Sequence, residues 1–563
     1  MLQIKFKQMV KSPALVISSF IFLLWFFVSN QAGLRTGTGD ILLIPYPIKS
    51  VPVSFIFFLF FAYSFLAKSI RQQLTELSKV YWQGRMQEYI YSFILLEIPN
   101  ILCYLFLVLC AVRNIWMSFG KLDIYTFFFA LKCYVIHIFL VNTVAILFGI
   151  LISFIRNEIK AFLTLGVVCC LFSTFTLGYL YSLTRANERM NHLVDVLALT
   201  TRKHDAMVDC DYLYAVGSVD LERVLFWCFL ITTFLCYILI QRGKKIVVLS
   251  LSIVSFLILA LYTQPHGSSY LDEANPMDAE KKEDYYYERN PEYIGVKRND
   301  LTVENDFTIK KYKADISIKR VMKAKVMVYL NEKRDFYSFS LRHEYRVTSI
   351  IDEYGKKVSF KREGDWISFF DDNDKKSDFF TFYYEGASNQ MYTNSQAIRL
   401  PAGYAYLPFP GKRYLYFHLT QEKDGYKNII YGGSHVADKG HESEYDIRID
   451  SPLHVYSNLT TKERNHFQGK STGAFLVANP YLREKEIAGN RLIYSALKMS
   501  YRDGEAEQTW EQWRDYLQSN HITGKTIAVC NIITGNYSFY GNEGSDYMEL
   551  AWPGQQLAVN VLE

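Results

Sequence analysis

Seven long apolar runs crowd into the first 263 residues, and they limit the fold more than any other feature. A helix needs roughly 20 apolar residues to cross a bilayer's hydrocarbon, where no water can satisfy the backbone. The runs are 13–30, 51–68, 91–112, 125–155, 161–181, 222–241 and 245–263. The first follows Lys5, Lys7 and Lys11. It is too long for a signal peptide and no small-residue cleavage site follows it, so it is expected to remain as an anchor. The fourth is overlong and carries Lys132 and His137 near its start, which predicts a tilted helix whose first turns sit at the interface. Only Gln241-Arg242-Gly243-Lys244-Lys245 parts the last two, so they are expected to form a hairpin.

Basic residues in short loops set the orientation. With the N-terminus inside, the cytoplasmic segments hold Lys5, Lys7, Lys11, Lys68, Arg71, Lys79, Arg85, Arg156, Lys160, Arg242, Lys244 and Lys245. The opposite loops are longer and sparser, with Arg35 and Lys49, Arg113 and Lys121, then five basic residues between 182 and 223. Seven crossings place everything after Tyr262 outside the cytoplasm. The expected location is therefore the plasma membrane, multi-pass, with the lipid bilayer as an obligate partner.

Composition narrows the partners further. The formal charge is +5 over 563 residues, which gives no reason to expect nucleic acid. Cys103, Cys110, Cys133, Cys169, Cys170, Cys228 and Cys236 lie in apolar runs, where a thiol behaves as a small hydrophobe. Only Cys210 and Cys530 lie elsewhere, and no CxxC occurs, so neither a zinc knuckle nor a disulfide framework is expected. A secreted half with one cysteine of its own is more typical of a bacterial chain.

Two connecting segments stand out. Residues 69–90 combine helix formers with Tyr81-Trp82 set between charges, which suits either an interfacial amphipathic helix or a rigid lever. Residues 182–221 carry His192, His204, Asp205, Asp209, Cys210 and Asp211, but the spacing matches no closed metal site, and a solvated loop is expected. Ionisable groups in the spans are few: Glu97 beside Pro99 and Asn100, then Lys132 and His137, with Asn142 nearby. Their scarcity argues against a self-powered, ion-coupled transporter.

Six spans with the N-terminus inside, a helical loop between the second and third, and an outer excursion between the fifth and sixth resemble the ABC-2 type permease, over roughly residues 1–241. The resemblance implies a cytoplasmic ABC ATPase subunit as partner, a homodimer or heterodimer of permeases, and a coupling role for Glu76, Tyr81, Trp82 and Arg85. The acidic-x-x-Gly-Thr-like stretch frequent in that family is replaced here by Arg71-Gln72-Gln73 and Trp82-Gln83-Gly84. The seventh span, 242–263 with its preceding turn, then exports the C-terminal half.

Residues 264–304 are polar and turn-rich, with Pro265, Pro276 and Pro291, and read as a solvated linker. From 309 onward apolar residues alternate (Tyr312, Ala314, Ile316, Ile318, then Ala324, Val326, Val328, Leu330), the period of strands with one buried face. Further strands are predicted at 336–341, 346–351, 357–361, 365–369 and 378–384, which points to a β-sandwich. A helix is predicted at 506–522 and a strand at 525–532, so 501–563 reads as a short α/β part. The fold class is thus a polytopic α-helical membrane domain, six spans plus one, followed by a mainly-β extracytoplasmic domain with an α/β end.

The wording of these strands is similar to the N-terminal β-domain of M1 family (gluzincin) aminopeptidases over roughly 305–500. The similarity is carried by Phe339-Ser340-Leu341-Arg342, Tyr345-Arg346-Val347, Asp352-Glu353-Tyr354-Gly355, Val358-Ser359-Phe360 and Phe380 to Gly386. Tyr445 to Ile449, Pro452, Ser457-Asn458-Leu459 and Gly473 to Ala478 continue it. That family binds zinc through His-Glu-x-x-His on a helix, with the Glu activating the metal's water. Here His343-Glu344 is followed by Val347 at the fifth place and His441-Glu442 by Tyr445, so neither pair fits. Met548-Glu549 does not restore the family's substrate-amine motif, and 501–563 resembles the start of a catalytic domain. A decayed or split relative and a truncated chain are both consistent with this.

Other motifs fail as well. Gly469-Lys470-Ser471 and Gly524-Lys525-Thr526 lack the first glycine of a phosphate loop, which falls at Arg464 and Ser519. No catalytic residue, metal ligand or cofactor is therefore assigned. The expected function is the permease subunit of an ABC exporter carrying a non-catalytic peptidase-like domain. The alternative is a membrane-anchored, peptide-binding pseudo-aminopeptidase.

Overall fold

The computed structural model describes residues 2–30, 46–71, 84–184, 190, 193–200, 216–239, 245–264, 286–287, 307–388, 391–413, 415, 417–422, 425–431, 441–497, 505–519, 524–530, 541–543 and 546–551. They belong to two compact units, Met1–Val208 with Val216–Gln264, and Asp209–Ala215 with Pro265–Glu563.

The first unit is helical: α1 (Leu2–Val10), α2 (Pro13–Asn30), α3 (Val51–Arg71), α4 (Gly84–Phe119), α5 (Ile124–Tyr134), α6 (Leu140–Ile152), α7 (Glu158–Leu171), α8 (Thr174–Thr184), α9 (Ser218–Leu239) and α10 (Lys245–Tyr262). One π-helical turn, Val135–Phe139, joins α5 to α6, so Ile124–Ile152 runs through as one long apolar stretch. Six stretches are long and apolar enough to cross a membrane: Pro13–Asn30, Pro47–Ala67, Met86–Phe119, Ile124–Ile152, Ser218–Leu239 and Lys245–Tyr262. Pro47–Ala67 and Ile124–Ile152 are each 67% buried and form the interior, whereas Lys245–Tyr262 is 11% buried and lies at the periphery. The α3–α6 contact needs a glycine: a Cβ on Gly149 would meet Leu59 O at 2.5 Å and Ala62 Cβ at 2.7 Å. Close backbone approach through small residues is how helices associate when lipid removes the hydrophobic drive between them.

The expected fifth span, 161–181, is not one straight helix. It is replaced by α7 and α8, which bend by 57° at a short break. Phe172 leaves helical geometry (φ −96°, ψ 12°), and Ser173 then caps the new helix by accepting from Thr176 N at 3.4 Å. Ser173 and Thr176 hydroxyls also donate to Cys170 O at 2.7 and 2.6 Å, closing the orphaned end of α7. The hairpin of the last two spans is found, as α9 and α10 pack along each other.

In the second unit, an eight-stranded sheet runs edge to edge through Thr460–Glu463, His466–Ser471, Ser443–Asp450, Ile309–Ile318, Met322–Leu330, Phe379–Gly386, Tyr345–Asp352 and Lys357–Val358. Its neighbours are antiparallel except Ile309–Ile318 with Ser443–Asp450, which pair in parallel. A four-stranded sheet of Phe409–Pro410, Phe336–Ser340, Trp366–Phe370 and Phe360–Glu363 closes one face. Between them lies a core of Ile316, Val326, Phe339, Ile367, Phe369, Phe380 and Phe382. The alternation that predicted strands is the alternation of burial, for Met322–Leu330 has every second residue buried.

The C-terminal part is α/β. A five-stranded sheet orders Leu482–Ile487, Asn490–Ser495, Thr526–Cys530, Tyr547–Ala551 and Gly541–Glu543. Helix α11 (Ala506–Ser519) crosses between the parallel strands Asn490–Ser495 and Thr526–Cys530. It sets Trp510 and Trp513 on Leu492, Ile527 and Val529.

Candidate functional site

The first unit's interior holds a chain of polar side chains. Ser54 of α3 donates to Asn142 Oδ1 of α6 at 2.9 Å, Asn142 Nδ2 donates to Asn100 Oδ1 of α4 at 3.0 Å, and Asn100 Nδ2 donates to Glu97 Oε2 at 2.8 Å. Local backbone explains why these groups meet. Glu97 and Asn100 are one turn apart on α4, and Pro99 between them removes an intrahelical donor. The π-turn leaves Phe139 O to accept from Asn100 Nδ2 and from Thr143 Oγ1, both at 3.1 Å. Ser54, Asn100 and Asn142 are fully buried and Glu97 is 7% exposed. Glu97 Oε1 has no hydrogen-bond partner among the described residues.

Every amide in this chain points its N–H toward the carboxyl. Such a network ties three helices into one register and ends on a buried acid, Glu97; in a membrane-spanning helix an ionisable group ordinarily marks function. Asn142→Leu removes the middle link and strands Asn100 Oδ1, while the Ser54 hydroxyl keeps Val51 O at 3.0 Å. It is expected to cost the helical unit about 1–2 kcal/mol, read as a lower unfolding midpoint in detergent titration. Lys132, also noted in the spans, instead donates to Val216 O at 2.6 Å. Asp220 and Arg223 form a buried pair at 3.1 Å at the start of α9.

Of the residues that the sequence nominates for coupling, Glu76, Tyr81 and Trp82 lie outside the described residues. Arg85 is the second residue of α4. The segment 69–90 thus ends in helix that runs without interruption into the third span. Of the histidine and acid set at 182–221, all six lie outside the described residues.

In the second unit, His343-Glu344 sits in a turn before the strand Tyr345–Asp352, not on a helix. Glu344 Oε2 accepts from Arg342 Nε at 3.1 Å and from the Tyr404 hydroxyl at 2.6 Å. Burial pushes this carboxyl up, yet Arg342, His343 and the Tyr404 hydroxyl outweigh it and hold it below the usual range. Arg342 also donates to Leu415 O at 2.9 Å. This glutamate is engaged in holding a turn and is not poised over open space as a general base. His441 faces Ile309 O at 3.1 Å, and His466 pairs with Asp446 at 2.8 Å on the strand face. Among the described residues no group of three or more His, Cys, Asp or Glu gathers to metal-binding distance. Glu549 is buried and accepts from Ala402 N at 3.1 Å.

Comparison with known proteins adds fold neighbours only. No family model matches the chain, and no curated protein matches it in sequence. Among solved structures it is similar to an M1 zinc metallopeptidase from Deinococcus radiodurans, at 12% identity and a TM-score of 0.30, covering 46% of this chain and 63% of that one. It is similar also to yeast LTA4 hydrolase, at 12% identity and a TM-score of 0.30, covering 43% of this chain and 40% of that one. This chain therefore spans less than two thirds of either. Likenesses of this degree assign no activity.

Proposed function

We propose that the chain is the membrane subunit of an ABC exporter, driven by a separate cytoplasmic ATP-binding subunit and working as a dimer of permeases. In this reading the N-terminus is cytoplasmic, the membrane is the plasma membrane, and the second unit is an extracytoplasmic, catalytically silent domain. The observation that supports it is the buried Ser54–Asn142–Asn100–Glu97 chain inside a unit of six long apolar helices. A mere anchor needs one span, and a buried polar chain across three helices only adds cost to it.

The motor is tested directly. Alone, the purified chain should show no ATP hydrolysis. With its ATPase subunit, Tyr81→Ala with Trp82→Ala should weaken association or abolish stimulation of the ATPase, because a lever at 69–90 must carry the force. Unchanged association and stimulation in that double variant would remove the segment from the mechanism.

Catalytic silence has its own measurement. The full chain should hold no stoichiometric zinc after dialysis and release no N-terminal residue from an aminoacyl reporter, since His343-Glu344 is held in a turn by Arg342 and Tyr404. Chelator-sensitive release would overturn this part of the reading.

A further inference from the structure

Between Gln264 and Phe307 the described residues are Tyr286 and Tyr287, and both are seated on the sandwich. The Tyr286 ring stacks on the His343 imidazole, with centroids 3.6 Å apart and planes 14° from parallel. Tyr287 meets the same imidazole edge-on at 5.9 Å, is 4% exposed, and donates its hydroxyl to Asp365 Oδ2 at 2.5 Å. Asp365 is itself fully buried. Its other oxygen accepts from His343 N at 2.6 Å and lies 3.0 Å from His343 Nδ1. Burial pushes the Asp365 carboxyl up, but His343, Arg342 and the Tyr287 hydroxyl outweigh it and hold it at about 2. The floor of the pocket is rigid as well, because Arg362 donates to Leu341 O, Arg342 O and Tyr345 O and so fixes the turn that carries His343.

We propose that His343 and Asp365 form a phenol-binding pocket on the sandwich whose ligand is the chain's own linker, latched through Tyr286 and Tyr287. An imidazole plate for one ring and a buried carboxylate for one hydroxyl is a recognition set for an aromatic side chain with a donor at its tip. The latch has a mechanical meaning. Fully extended, the chain from Gln264 to Phe307 reaches roughly 140 Å, whereas from Gln264 to Tyr286 it reaches only roughly 75 Å. Seating the tyrosines therefore roughly halves the tether on which the second unit is carried. The proposal does not depend on what the membrane unit transports.

Limited trypsinolysis of the full chain in nanodiscs tests it. Arg289 lies two residues past the latch and Lys281-Lys282 a few residues before it. Tyr287→Phe deletes only the hydroxyl, and Tyr286→Ala only the stacked ring. Each is expected to raise cleavage after Arg289 by about tenfold, the scale of a lost hydrogen bond to a charged group, while cleavage after Lys281 and Lys282 stays within about twofold. Asp365→Asn should do the same, with the sandwich's melting midpoint followed to separate unlatching from unfolding. The two linker variants keep the test valid if that one fails to fold. Unchanged cleavage after Arg289 in both would overturn the latch. Wild-type protection that fades on dilution would overturn the assignment to the same chain, because a second copy's linker would then be the occupant.

Discussion

Glu344→Ala is expected to destabilise the β-sandwich by about 3–5 kcal/mol, the cost of leaving a buried charge without its partner. The side chains of Arg342 and Glu344 are 2% and 5% exposed, so water cannot replace the lost carboxylate. Arg342 would keep its bond to Leu415 O but lose the carboxylate beside it, and the Tyr404 hydroxyl would be left with Ser388 Oγ at 2.7 Å. Glu344→Gln, which keeps an acceptor and drops the charge, should cost less, about 1–3 kcal/mol. Denaturant or thermal unfolding of the full chain in detergent checks both, the alanine change lowering the sandwich midpoint by about 10 °C. A midpoint unmoved in Glu344→Ala would mean that the arginine finds compensation elsewhere.

The second large effect is all-or-none. In a background with Cys210 and Cys530 replaced by serine, single cysteines placed between residues 300 and 560 are expected to react with an impermeant thiol reagent in intact cells. Cysteines placed in 69–90 should react only after the membrane is opened. The basic-residue bias predicts the N-terminus inside, and the number of crossings decides the rest. Taken as one broken span, α7 and α8 bring the crossings to seven and put the two sets of cysteines on opposite sides. Taken as a re-entrant pair, they leave six, and both sets would behave alike. Labelling therefore reports on the 57° bend as much as on the orientation.

Much of this fold is legible in the sequence because its signals are local. Apolar runs mark the long apolar helices to within seven residues at either end, and alternation marks Met322–Leu330 throughout and Ile309–Ile318 from Tyr312 onward. The predicted helix at 506–522 and strand at 525–532 appear as Ala506–Ser519 and Thr526–Cys530. The break in the fifth span escapes because Phe172 and Ser173 are unremarkable in an apolar window; only the caps that Ser173 makes reveal it. The polar chain is legible only in part: Glu97, Asn100 and Asn142 stand out in the sequence, but Ser54 is averaged away among apolar neighbours, and its pairing with Asn142 spans 88 residues. The linker tyrosines escape likewise, since a polar, proline-bearing segment reads as solvated and nothing local announces that Tyr287 is buried against Asp365. His343-Glu344, which Val347 at the fifth place already excludes from a zinc helix, sits in a turn where Glu344 pairs with Arg342.

The parallel pairing at the middle of the large sheet sets a timetable for synthesis. Ser317 and Asp450 meet side by side although 133 residues separate them. Ile309–Ile318 can form a hairpin with Met322–Leu330 as soon as both emerge, but its other edge stays bare until Ser443–Asp450 arrives. An unpaired strand edge is a template for wrong partners. If the second unit crosses a membrane as it is made, it must pass as an open half-sheet, and closure waits until about the last fifth of the polypeptide. Its maturation should then lag behind the insertion of the helices that precede it, and a holding chaperone on the far side would find its work in that interval.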